Sequence, residues 1–158
     1  MEEAKKEFME EAIKLALNNA KTGVGGPFGA VIVKNGKIVG RGSNQVTTTN
    51  DPSAHAEIVA IRDACKNLNS FQLDDCEIYS SCEPCPMCLG AIYWARPKKV
   101  YYASTKHDAA DAGFDDSFIY DEIEKCKHDR KIPFISFMNE ESKVVFENWK
   151  ASSNKIEY

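Results

Sequence analysis

Apolar residues recur every three or four positions early in the chain, at Phe8, Ala12, Leu15 and Ala16, and predict a helix over residues 3–19 with one face turned to a core. Gly23, Gly25, Gly26 and Pro27 end it. Two β-rich runs come next, 30–34 and 37–40, joined by Asn35-Gly36, a pair that accepts the positive φ angles of a two-residue turn and so predicts a hairpin. Helical spacing returns at Ile58, Ile61, Ala64, Cys65 and Leu68, predicting a helix over 54–68 capped by Asp51-Pro52-Ser53. A strand over 76–80 runs out at Cys82, and Pro84 and Pro86 lead into a third helix that continues to Arg96. Beyond a strand at 99–103 come an acidic, partly aromatic segment at 106–124 and a short strand near 134–137. A final helix over 140–152 presents Val144, Val145 and Trp149, and a tail ends at Tyr158. No internal repeat interrupts this order. It predicts one α/β domain over residues 1–158, a three-layer α/β/α sandwich around a central mixed five-stranded sheet.

Composition narrows the classes of function. With 158 residues, 43% hydrophobic and 28% charged, the chain is globular in profile, and no apolar run approaches the roughly 20 residues of a membrane-spanning helix. The first residues, Met1 to Lys6, are charged and lack the apolar stretch of a secretory signal, so a cytoplasmic protein without a membrane partner is expected. A net charge of −4, with Lys and Arg dispersed outside residues 125–131, argues against a nucleic-acid partner. Six cysteines in such a chain are read as reduced thiols, not as a disulfide framework.

Two short motifs carry the chemistry. His55-Ala56-Glu57 and Pro84-Cys85-Pro86-Met87-Cys88 offer one imidazole and two thiolates, the donor set of a catalytic zinc site that leaves a fourth position for water. Glu57 is not needed to hold the metal, and a carboxylate beside such a water is what a general acid/base requires. On a regular helix His55 and Glu57 would diverge by about 200°, so a shared target requires the irregular start of the helix. Cys85 and Cys88, three apart in a first turn, point the same way, and the helix N-terminus favours their thiolate forms. The pairing of His-x-Glu with Pro-Cys-x-x-Cys is the known signature of zinc nucleobase deaminases. Cys82 extends the run to Cys-x-x-Cys-x-x-Cys, but the fourth ligand of an iron–sulfur cluster at ferredoxin spacing is missing, so Cys82 is read as a strand-end residue. Cys65 and Cys76 read as core thiols, and His107 and His128 as surface residues. The aspartates at 108, 111, 115 and 116 are either a polar helix face or a loop over the metal.

The resemblance to a known family runs almost end to end. Residues Gly25 to Val31, Asp51 to Glu57, Ser81 to Cys88 and Gly113 to Tyr120, with Tyr93-Trp94-Ala95-Arg96 and the terminal Glu157-Tyr158, resemble bacterial guanine deaminases of the cytidine-deaminase fold. The first three blocks are shared in outline with relatives acting on cytosine or tRNA adenosine and so bear on chemistry, not substrate. The resemblance implies hydrolysis of guanine to xanthine and ammonia, with one zinc ion per chain on His55, Cys85 and Cys88. It implies a zinc-activated water directed at purine C2, Glu57 moving protons, and Asp116 acting at the departing amine. It further implies a small purine base held by Phe28, Asn44, Trp94 and Tyr158, the amide of Asn44 donating to one edge and accepting from another. Relatives of this kind are homodimers in which a C-terminal segment, here about 140–158, crosses to the neighbouring subunit; packing of that helix on its own subunit is the alternative. A tRNA adenosine deaminase of the same superfamily, and a non-enzymatic module with a structural zinc, are the competing functional readings.

Overall fold

Asn35 and Gly36 both adopt the left-handed conformation, with φ of 51° and 71°, and close the expected hairpin between β1 (Gly29–Lys34) and β2 (Lys37–Ser43). The computed structural model describes residues 4–158, so the expected helix start at Glu3 lies outside the described residues. The first helix, α1, spans Lys6–Thr22 and ends on left-handed Gly23. After β2 come a short α2 (Val46–Thr49), α3 (Ala56–Leu68), β3 (Cys76–Cys82), α4 (Pro86–Ala95), β4 (Lys99–Ser104) and α5 (Lys106–Asp111). Chain contacts separate one compact unit ending at Asp116 from a second, Ser117–Tyr158, which holds α6 (Ser117–Glu124) and α7 (Asn139–Ala151).

The sheet among the described residues has four strands in the order β2-β1-β3-β4, with β1 antiparallel to both neighbours and β3 parallel to β4. The fifth strand expected near 134–137 does not form. Its run of β-prone Phe134, Ile135 and Phe137 has the look of a strand, yet the Phe134 N–H donates to the Lys127 carbonyl and Pro133 has no N–H to give a ladder.

Side-chain alternation along the strands splits the core into two layers. Val31, Val33 and Tyr79 pack with Phe8 of α1 on one face, where the rings of Phe8 and Tyr79 meet edge to face at 5.4 Å. Ala30, Ile32 and Ile78 pack with Ala56, Ala60 and Ala64 of α3 and with Ile92 and Ala95 of α4 on the other. The sheet is therefore flanked by helices on both faces, as expected. The α3 layer is unusually close. A Cβ on Gly40 or Gly42 of β2 would run into the backbone carbonyls of Ala60 and Ala56, so the strand's glycines let the start of α3 lie directly on the sheet. That approach fixes where His55 and Glu57 project.

Candidate metal and catalytic centre

Two helix N-termini supply the centre. His55 is the N-cap of α3, with extended φ and ψ of −68° and 156°, and Cys85 is the N-cap of α4, at −66° and 168°. Both therefore sit one position earlier than the first turn expected from sequence, and neither side chain caps its own helix. Because backbone direction is still changing at a cap, His55 and Glu57 can face one point despite their spacing. Asp51-Pro52-Ser53 does not cap α3; Asp51 Oδ1 instead accepts from the Ser53 N–H at 2.8 Å and the Ser53 hydroxyl at 2.6 Å, closing the turn before it. Pro86 opens α4, where its missing N–H costs nothing, and places Cys88 on the same side as Cys85.

His55 Nδ1 lies 3.5 Å from Cys85 Sγ and 3.6 Å from Cys88 Sγ, and the three donor atoms all fall within 4.8 Å of one another. Zinc–sulfur and zinc–nitrogen bonds of about 2.3 and 2.0–2.1 Å at a tetrahedral angle put N and S roughly 3.6 Å apart, so the separations fit one ion. The donor set is soft and three in number, which leaves one tetrahedral position for a non-protein ligand. A hydrogen bond from Cys88, and the neighbouring His55, hold the Cys85 thiol down to about 4, while donation to Cys85 and burial push Cys88 up. The hydrogen bond to Cys85 likewise raises His55. Metal binding to such a pair requires both sulfurs as thiolates and so releases protons.

Glu57 is 6% exposed and stands outside the donor group. Its Oε2 accepts from Cys88 Sγ at 3.4 Å and its Oε1 from the Ser80 hydroxyl at 3.5 Å. Burial pushes its carboxyl above the usual carboxylate range, which suits a group that must both take and return a proton. Asp116, half-buried, is also raised, by burial and then by the charge of Cys85, which brings its carboxyl into the electrostatic reach of the same cluster.

Asn44 is buried and tied to this region through the Gln45 N–H, which donates to the carbonyl of Ala54, the residue before His55. Its Oδ1 accepts from the backbone N–H groups of Gly26 and Val46, both at 3.2 Å. The amide oxygen is thereby committed to the protein, and only the Nδ2 donor is left for a ligand, where the sequence reading expected both. Phe28, whose carbonyl accepts from the Asn44 N–H, packs its ring edge to face on Phe114 at 5.0 Å. Trp94 lies on α4 and is 62% exposed, and Tyr158, in the second unit, is 69% exposed.

Three contributors escaped the sequence reading. Asn19, 3% exposed, donates from Nδ2 to the carbonyls of Gly26 and Asn44 at 3.0 and 2.8 Å and so fixes the loop that presents Asn44. A polar residue continuing the Ala12–Ala16 face of α1 was the signal for it. Ser80 supports Glu57, and Glu83 bridges two loops; a serine in a strand and a glutamate before a proline carry no such signal. Cys82 stands apart from the donors, donating to the Thr105 carbonyl at 3.5 Å, with burial raising its thiol to about 11.

The family model of the cytidine and deoxycytidylate deaminase zinc-binding region matches residues 2–104. The guanine deaminase of Bacillus subtilis is 59% identical over 151 residues, spanning 96% of this chain and 97% of that protein. An X-ray structure of guanine deaminase from Bacillus subtilis superposes with a TM-score of 0.95 at 57% identity over 99% of each chain. A tRNA-specific adenosine deaminase of Aquifex aeolicus is 42% identical over 98 residues, 60% of this chain and 65% of that protein. A zinc-type donor set at two helix starts, on this fold and with this matched region, has one reading: the chain belongs to the cytidine and deoxycytidylate deaminase family, on the branch of the bacterial guanine deaminases.

Proposed function

We propose that the protein hydrolyses guanine to xanthine and ammonia. The observation that carries this reading is an open group of three metal donors beside a buried carboxyl that is not one of them. A structural zinc site would close its fourth position with protein, and among the described residues the donor group is His55, Cys85 and Cys88 alone. Guanine as substrate is supported by the length of the likeness: that to the tRNA enzyme covers 60% of this chain, whereas that to the guanine deaminase covers 96% and so takes in most of the chain beyond residue 104. The net charge of −4 also suits a small neutral base better than a polyanion.

His55, Cys85 and Cys88 would hold the zinc, which when bound would supply a Lewis acid able to lower the pKa of water toward neutrality. Glu57 takes the proton of the water that attacks purine C2 and returns it to a ring nitrogen. Asp116 passes the remaining proton, from the hydroxyl added at C2, to the exocyclic nitrogen, so that C2=O forms as the C2–N bond breaks and the group that leaves is ammonia and not an amide anion. Asn44 Nδ2 donates to an acceptor on the base, which selects one edge of it. Phe28, held by Phe114, and Trp94 offer aromatic faces to the planar ring.

The test is ammonia release by zinc-loaded protein from guanine, guanosine, adenine, cytosine and an adenosine-bearing anticodon stem. Ammonia from guanine with xanthine as co-product is expected; release from the stem or from cytosine with guanine inert would refute the substrate.

The working unit is a homodimer in which one catalytic domain per chain exchanges residues from about 140 onward, bringing Tyr158 to the partner's base. No residue of α6 or α7 is buried, while Phe134, Ile135, Phe137, Val145, Phe146 and Trp149 are exposed, an apolar surface that calls for a cover. Light scattering is expected to return twice the chain mass; a monomer at micromolar concentration would remove the exchange. The six cysteines are all free, which supports a reducing, cytoplasmic setting, and no helix among the described residues is long and apolar enough to cross a membrane.

A further inference from the structure

Glu83 lies between the end of β3 and Pro84-Cys85, one residue from the metal loop, yet its side chain is turned to another element. Its Oε2 accepts the backbone N–H of Lys106, the first residue of α5, at 3.0 Å. Its own N–H donates to the Ser104 carbonyl at 2.8 Å, and next to it Cys82 donates to the Thr105 carbonyl. Three bonds thus bind the strand end that leads to Cys85 to the loop that opens α5. From there the chain is held by local contacts. Thr105 and Asp108 form a capping box, Phe114 N–H returns to the Ala109 carbonyl, and the Phe114 ring is seated on Phe28. Two residues later stands Asp116, in electrostatic reach of Cys85.

The geometry points to Glu83 as a positioning residue: it sets the distance between the Cys85–Cys88 loop and the α5 segment, and through that segment the placement of Asp116. The inference rests on the role given above to Asp116. A carboxylate is suited to this task because an ionised acceptor on a helix's first N–H is both stronger than a neutral one and aligned with the helix dipole. The alternative is that Glu83 merely stiffens the metal loop, in which case its loss would release zinc and act independently of Asp116.

The test is a mutant cycle on zinc-loaded protein, reading kcat and KM for guanine and zinc per chain. Glu83→Ala is expected to lower kcat roughly ten- to a hundredfold with one zinc retained, the range a misplaced reacting group costs. Glu83→Gln, which still offers an oxygen to the Lys106 N–H, is expected to recover most of that loss. Combined with Asp116→Asn, Glu83→Ala is expected to cost less than about twofold more, since residues acting as one unit are not additive. An additive cycle, loss of zinc, or a Gln variant as poor as Ala each overturns the inference and leaves the reading of Asp116 standing. Asp116→Asn at the wild-type rate overturns both. Should Glu83→Ala fail to fold, Lys106→Pro serves in its place. Proline fits the first helical position and the extended Thr105 before it, and removes only the N–H that Glu83 accepts and the lysine side chain. Lys106→Ala removes the side chain alone. The proline variant is expected to fall below the alanine variant in kcat; equal rates refute the role of the bond.

Discussion

Glu57→Gln is expected to lower guanine turnover roughly 10³- to 10⁴-fold while the protein keeps one zinc per chain, the upper range for loss of a general acid/base. The reason is local. Glu57 is outside the donor group, so the amide removes no ligand, and it is close to isosteric, so the buried pocket stays filled. The Ser80 hydroxyl can still donate to the amide oxygen, and the amide nitrogen can donate toward Cys88 in place of accepting from it. What disappears is the ability to carry a proton from the attacking water to the ring. Ammonia release and elemental zinc analysis on one sample decide the matter. Zinc lost together with activity would make Glu57 a ligand, and activity retained would mean that water loses its proton elsewhere.

Asp116→Asn is expected to reduce kcat about 100-fold with little change in KM or zinc content, because the proton it handles belongs to a step after the base is bound. An amine departs readily only when protonated, and the asparagine amide cannot deliver that proton. Burial and the nearby Cys85 charge both favour the protonated carboxyl, the form needed at the moment of departure. Steady-state kinetics with guanine check this. A rise in KM at constant kcat would turn Asp116 into a binding residue, and wild-type kinetics would return it to a solvated face.

Where the sequence was legible, the physics was local. Asn35-Gly36 specifies its turn because both positions need positive φ, and the apolar period of 56–68 specifies a helix because one face must be buried. The metal donors were legible for a related reason, since His55, Cys85 and Cys88 are reactive types at a spacing that other roles do not require. The pattern misled where burial was absent. Phe134, Ile135 and Phe137 are β-prone residue types but are more than half exposed, and propensity alone does not supply a neighbouring strand to pair with. The four residues of α2 were missed because a single turn has too few positions to show a period.

By itself, the sequence determined the donor set, the open fourth position that three ligands leave, and the helices and hairpin whose periods are written in consecutive residues. Tertiary structure alone decided how the remaining groups are used. The Asn44 oxygen is occupied because the N–H groups of Gly26, 18 positions away, and Val46 both donate to it, and Asn19 holds this loop by bonding a carbonyl 25 positions on. Glu83 reached Lys106 across 23 positions, and Phe28 met Phe114 from the far side of the sheet's sequence order. Such bonds depend on where the β3 and β4 ends and the α1 and α3 termini are brought together. Neither composition nor periodicity encodes the direction in which a single polar atom points once they meet.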